Sequence, residues 1–141
     1  MTGRAVLRVC LGTLFAGAAL TKLPDMAAFA EAVANYRLLP PSMVPAFAAA
    51  LVGVEIVVGV SLVAGVAARA AALVAAALLL SFTAALSQAL LRGIDLACGC
   101  FGGGDAASWW TVLRDVGLLA AAVGSAVLGP GRLLPARPAA P

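Results

Sequence analysis

Polar residues in this chain do not alternate with apolar ones; they gather at the ends of long apolar runs. Four runs stand out. The first, 5–20, is opened by Arg4 and Arg8 and closed by Lys22; the second, 43–65, is broken only by Glu55. The third and fourth cover 70–91 and 109–129. Each approaches the roughly 20 apolar residues that an α-helix needs to cross the hydrocarbon core of a bilayer. The pattern therefore predicts an all-α membrane protein, a bundle of four transmembrane helices over 4–22, 43–65, 69–91 and 109–129. These form one domain, 1–130, followed by a flexible tail, 131–141, rich in Pro and Arg.

Between the first two runs, residues 23–45 are too polar and too punctuated by proline to span. Pro24 and Asp25 suit a helix start. Phe29, Val33 and Tyr36 fall on one face, which predicts a short interfacial helix over 24–37 lying on the membrane surface. Arg before an apolar core, with Ala16-Gly17-Ala18 behind it, also resembles a secretory signal. A retained helix is the preferred reading, and Arg8-Val9 before Cys10 argues against a lipid-modified cysteine. Small residues recur every four positions at Gly117, Ala121, Ser125 and Gly129, and again at Ala77, Ser81, Ala85 and Ala89. Such stripes let helices approach closely in lipid, although an Ala-rich chain also produces them by chance.

Composition agrees with this reading. The chain of 141 residues is 64% hydrophobic and only 11% charged, where soluble domains carry about 25% charge. A net charge of +3 without a basic cluster excludes nucleic acid as a partner. No histidine is present, which removes the commonest metal ligand and the usual general base near neutral pH. With four crossings, the N-terminus, the turn near Arg69 and the C-terminus share one side, with Arg4, Arg8, Arg69, Arg132 and Arg137. The other side carries Lys22, Arg37, Arg92 and Arg114. Counting Lys and Arg places the first side in the cytoplasm of a cell-membrane protein. The loop 92–108 then faces outward, where disulfides persist, with Trp109 and Trp110 in the aromatic belt.

That loop holds Cys98-Gly99-Cys100 beside Phe101-Gly102-Gly103-Gly104. A structural zinc site wants four ligands, and only two thiols lie here, so no metal is expected. A structural staple is also a poor fit, because bridging i and i+2 closes a tiny loop and stabilisation grows with loop length. A strained bridge is easily reduced, and Gly99 supplies backbone freedom for it. Nearby cations favour the reactive thiolate. Thiol exchange is the preferred role for Cys98 and Cys100, with a pair of inert loop thiols as the alternative. The glycines are no phosphate loop, since no strand precedes them and no Lys-Ser/Thr follows.

Glu55 lies ~18 Å into the second helix by helical rise, near mid-membrane. An ionisable residue there usually faces the bundle interior with a partner, and Lys22 is the most attractive one. A proton acceptor, a hydrogen-bonding group for a bound headgroup, or a lock between helices would each fit Glu55. Arg114-Asp115 reads as a local ion pair or a clamp on the cysteine loop. Gln88, beside Ser87, is placed either to hydrogen-bond a quinone oxygen or, by preference, to contact another helix.

Several segments together carry a family resemblance: 17–23, Asn35-Tyr36-Arg37-Leu38-Leu39-Pro40, and Glu55 followed by Gly59. Cys98-Gly99-Cys100-Phe101-Gly102-Gly103 and Trp109 with Arg114-Asp115 complete it. In this order they resemble the MauE family, methylamine-utilisation accessory membrane proteins related to the DoxX-like group, over nearly the whole chain. The resemblance implies a four-helix membrane bundle that supports redox maturation of exported proteins. It implies Cys98 and Cys100 as the working pair, with Lys22, Tyr36, Arg37, Glu55, Arg114 and Asp115 in support. Ala97 stands where a more polar residue is expected.

The function expected is that of an integral-membrane thiol-disulfide oxidoreductase, its cysteines exchanging disulfides with an extracytoplasmic client or thioredoxin-like partner. No cofactor is fixed by the sequence; a membrane quinone near Glu55 and Gln88 is the candidate carrier, and Arg92 belongs to the supporting set. The alternative is a non-catalytic assembly factor for a redox enzyme complex. A small transporter coupled through Glu55 is weaker, since no inverted repeat is visible.

Overall fold

The computed structural model describes residues 3–95 and 106–128. Among the described residues five α-helices follow one another: α1 Gly3–Lys22, α2 Met26–Asn35, α3 Val44–Ala64, α4 Ala68–Leu91 and α5 Trp109–Leu128. No β-strand occurs among the described residues. Four stretches are long and apolar enough to cross a membrane: Gly3–Asn35, Pro41–Ala64, Ala68–Leu91 and Trp109–Leu128. The protein is an all-α, four-span membrane bundle. Cys98, Cys100 and the tail 131–141 lie outside the described residues.

Local chemistry sets the breaks. Pro24 stands in a single 3₁₀ turn after Lys22, and the Asp25 carboxylate accepts from the Ala28 N–H at 2.9 Å, capping α2. This satisfies one of the donors that every helix start leaves open. Arg37 takes a left-handed backbone, φ 53°, to turn the chain toward Pro40 and Pro41. Gly65 ends α3 at φ 76°, its N–H donating to the Ser61 carbonyl at 2.9 Å. The guanidinium of Arg8 lies against Gly65, in the space a Cβ would occupy. The start of α1 and the α3–α4 turn therefore share one end of the bundle.

The four long helices close a ring, α1 against α3, α3 against α4, α4 against α5, and α5 against α1. The most extensive contacts are α1 on α3 and α4 on α5. At the α1–α3 crossing two glycines meet: a Cβ on Gly12 would stand 2.8 Å from the Gly59 carbonyl oxygen, and one on Gly59 2.7 Å from Ala16 N. Backbone approach of this kind is how helices associate in lipid. The core on either side of it is built from Leu11, Phe15, Val58, Leu62, Ala75 and Leu79, with Ala122 and Ala126 from α5.

The stripes noted in the last two helices coincide only in part with the buried faces. Gly117 faces open space, and α5 buries Thr111, Asp115, Ala122 and Ala126 instead. Of the α4 stripe, Ala77 and Ser81 are exposed, Ala85 is half-buried and Ala89 is buried, while α4 also buries Ala71, Ala72, Ala75, Leu79 and Leu86. With alanine on every side of a helix, spacing alone does not distinguish one face from another.

Candidate functional site

A cavity of about 530 Å³ opens in the half of the bundle next to α2. Helices α1 and α3 supply Phe15, Lys22, Phe47 and Glu55 to its wall; α4 contributes Phe82 and α5 contributes Arg114 and Asp115. Helix α2 packs on α3 and brings Phe29, Val33 and, just beyond its end, Tyr36. The short helix between the first two spans thus turns its apolar face onto this cavity, the face that periodicity alone assigns to lipid.

One buried ion pair lies on the wall. Lys22 Nζ stands 2.7 Å from both carboxylate oxygens of Glu55 and donates to them. The two residues are 4% and 2% exposed, too little for water to solvate either charge. Burying an ammonium and a carboxylate is costly unless each answers the other, as here. The Phe29 ring centroid lies 4.9 Å from the same ammonium, within cation–π range. Helix α1 ends at Lys22, yet its side chain meets the twelfth residue of the 21-residue α3. The pair therefore sits ~17 Å down α3 by helical rise.

A second pair lies at the start of α5. Arg114 donates to Asp115 Oδ1 from Nη2 at 3.1 Å and from Nε at 3.3 Å. Asp115 is buried and Arg114 is exposed on its outer side. Lys22, Tyr36, Glu55, Arg114 and Asp115 thus come from four parts of the chain to one cavity.

Other anticipated residues stand apart. Arg37 is exposed on the turn after α2. Gln88 does not line the cavity; its Oε1 accepts from Arg92 Nη1 at 3.1 Å. It shares the face of Ser81 but lies two turns, about 10 Å, further along α4. Gln88 Nε2 is buried without a hydrogen-bond partner among the described residues. Cys98 and Cys100 are outside the described residues, in the segment joining α4 to α5.

Sequence reasoning missed the aromatic wall. Phe15, Phe29, Phe47 and Phe82, four of the five phenylalanines, and Tyr36, the one tyrosine, all line this cavity. Their rarity, in a chain only 6% aromatic, was the available signal.

Fold and site together define a multi-pass membrane protein with a charged, aromatic-lined cavity inside a four-helix bundle. The family model described as methylamine utilisation protein MauE matches residues 3–128, and the chain belongs to that family. It is 45% identical over 127 residues to the methylamine utilization protein MauE of Paracoccus versutus, covering 88% of this chain and 68% of the relative. To the protein of the same name from Paracoccus denitrificans it is 44% identical over 120 residues, covering 83% of this chain and 64% of the relative. The chain thus spans about two thirds of the length of these relatives. No solved structure matches it.

Proposed function

We propose that this protein is a membrane thiol-disulfide redox protein whose Cys98 and Cys100 exchange disulfides with an exported partner, in support of methylamine utilisation. The observation that carries the reading is the Cys98-Gly99-Cys100 sequence, placed between two helices, α4 and α5, that both line the charged cavity. The pathway is the one for which the two Paracoccus relatives are named.

One thiolate of the pair attacks a sulfur of the partner's disulfide, forming a mixed disulfide and releasing the partner's other thiolate. The second cysteine then attacks its neighbour, so the pair becomes a disulfide and the partner a dithiol. Run backward, the same bonds oxidise the partner. The segment 92–108 faces outward, and both termini are cytoplasmic. A second carrier, a membrane quinone or a thioredoxin-like protein, restores the pair after each cycle.

The test is exchange with a fluorogenic disulfide-bonded peptide by purified full-length protein. Wild type is expected to react at least about tenfold faster than Cys98→Ser or Cys100→Ser, because each single variant lacks the resolving thiol. Equal rates in wild type and in the double Cys→Ser variant would overturn the reading. A non-catalytic assembly factor is the second reading, favoured by the buried Lys22–Glu55 pair as a helix lock. It predicts dispensable cysteines and an indispensable ion pair.

A further inference from the structure

We infer that the cavity binds the ring of a membrane quinone, with Lys22 Nζ as the hydrogen-bond donor to a ring carbonyl oxygen. The inference rests on the redox reading above and identifies its second carrier and the place that carrier occupies.

Three observations select this chemistry. The first is charge. Lys22 and Glu55 neutralise each other at 2.7 Å, so the wall offers no net charge to an anionic guest, and a neutral one fits. Of the three protons on the ammonium, those facing Glu55 are engaged. Among the described residues its other contact is the face of Phe29, and Lys22 lines the cavity, so a donor remains for a neutral carbonyl. The second is depth. The pair sits beside the middle of α3, well inside the hydrocarbon layer. A phospholipid keeps its phosphate at the surface, whereas an uncharged quinone ring can enter to that level with its tail in lipid. The third is the wall itself. Four phenylalanines and the tyrosine converge on one space. Acyl chains gain nothing special from aromatic faces, while a flat conjugated ring stacks on them. The volume, about 530 Å³, falls within the usual range for small-molecule sites, ~300–1,000 Å³.

In the redox cycle the two thiols of the reduced pair lose two protons and two electrons as their S–S bond forms. The quinone takes both electrons and both protons onto its ring oxygens and leaves as the hydroquinone. Electron flow in that direction oxidises the partner protein. Gln88 has no part in holding the ring, being bound to Arg92 outside the lining.

The experiment uses the full chain in detergent micelles and a benzoquinone carrying a short isoprenoid tail, with binding followed by calorimetric titration. Saturable binding is expected for wild type and, undiminished, for the double Cys98→Ser/Cys100→Ser variant. Ala85→Phe, which fills the space beside Phe82, should weaken it. Lys22→Met/Glu55→Gln, which removes the donor without leaving an unpaired charge, should weaken it at least about tenfold, the scale of a lost hydrogen bond to a charged group. Absence of saturable binding to folded wild type would overturn the inference, as would wild-type affinity retained in both cavity variants. Equal displacement of the probe by a diacyl phosphatidylglycerol would also overturn it, marking the cavity as a lipid site. Because the Cys98→Ser/Cys100→Ser variant keeps the cavity, loss of thiol exchange and loss of quinone binding are read separately.

Discussion

Lys22 and Glu55 are 33 positions apart in sequence and 2.7 Å apart in space, and the pattern of charge within apolar runs singles out both. An ionisable side chain inside such a run is expensive, so its presence implies a partner and an inward face. Arg114 and Asp115 were equally legible, because neighbours of opposite charge at a helix start have few alternatives. Gln88 was not: its angular position on α4 agrees with the cavity face, but its level along the axis does not. The phenylalanines were hidden for another reason. They lie on α1, α2, α3 and α4, and only the packing of those helices brings them together. The ion pair yields a prediction at this scale. Lys22→Met or Glu55→Gln alone should cost about 3–5 kcal/mol, since each strands a buried partner. The double variant should recover most of that loss, as thermal unfolding of the detergent-solubilised protein will show.

At the scale of the helix, existence and approximate extent were readable and faces were not. Helix α3 is apolar on every side, so hydrophobic periodicity gives it no orientation. Its buried positions Ala48, Leu51, Val52, Glu55, Val58, Gly59 and Leu62 follow helical spacing, yet only Glu55 and Gly59 differ chemically from their surroundings. The true close approach, Gly12 on Gly59, was lost among many alanine and glycine spacings that fit equally well. A pair of substitutions separates these two kinds of glycine. Gly59→Ala drives a Cβ into the backbone of α1, where nothing can yield, and should cost about 1–3 kcal/mol as overpacking. Gly117→Ala meets open space and should stabilise α5 by up to about 1 kcal/mol through helix propensity. Melting temperatures of the two variants in the same detergent give the comparison directly.

Across the whole molecule, the fold class was legible because a membrane span is written in composition and length alone. The cavity was not, since it arises from how α1 meets α3. Helix α1 runs past the α3–α4 turn at one end, with Arg8 against Gly65, and at the other ends at Lys22, whose side chain meets Glu55 in the middle of α3. Helix α2 packs on α3 and, with the turn at 35–40, lines the space beside that pair. A charged, aromatic-lined space results, bounded by the same two helices that carry the cysteine segment between them. The central claim is that Cys98 and Cys100 cycle between dithiol and disulfide in the membrane. It is tested most directly by their redox state in isolated membranes, read as a mass shift after thiol alkylation, with the quinone pool either oxidised or held reduced by a respiratory inhibitor. The pair should be largely disulfide when the pool is oxidised and move toward the dithiol when it is held reduced. Cysteines that stay fully reduced and alkylatable under both conditions would contradict the account.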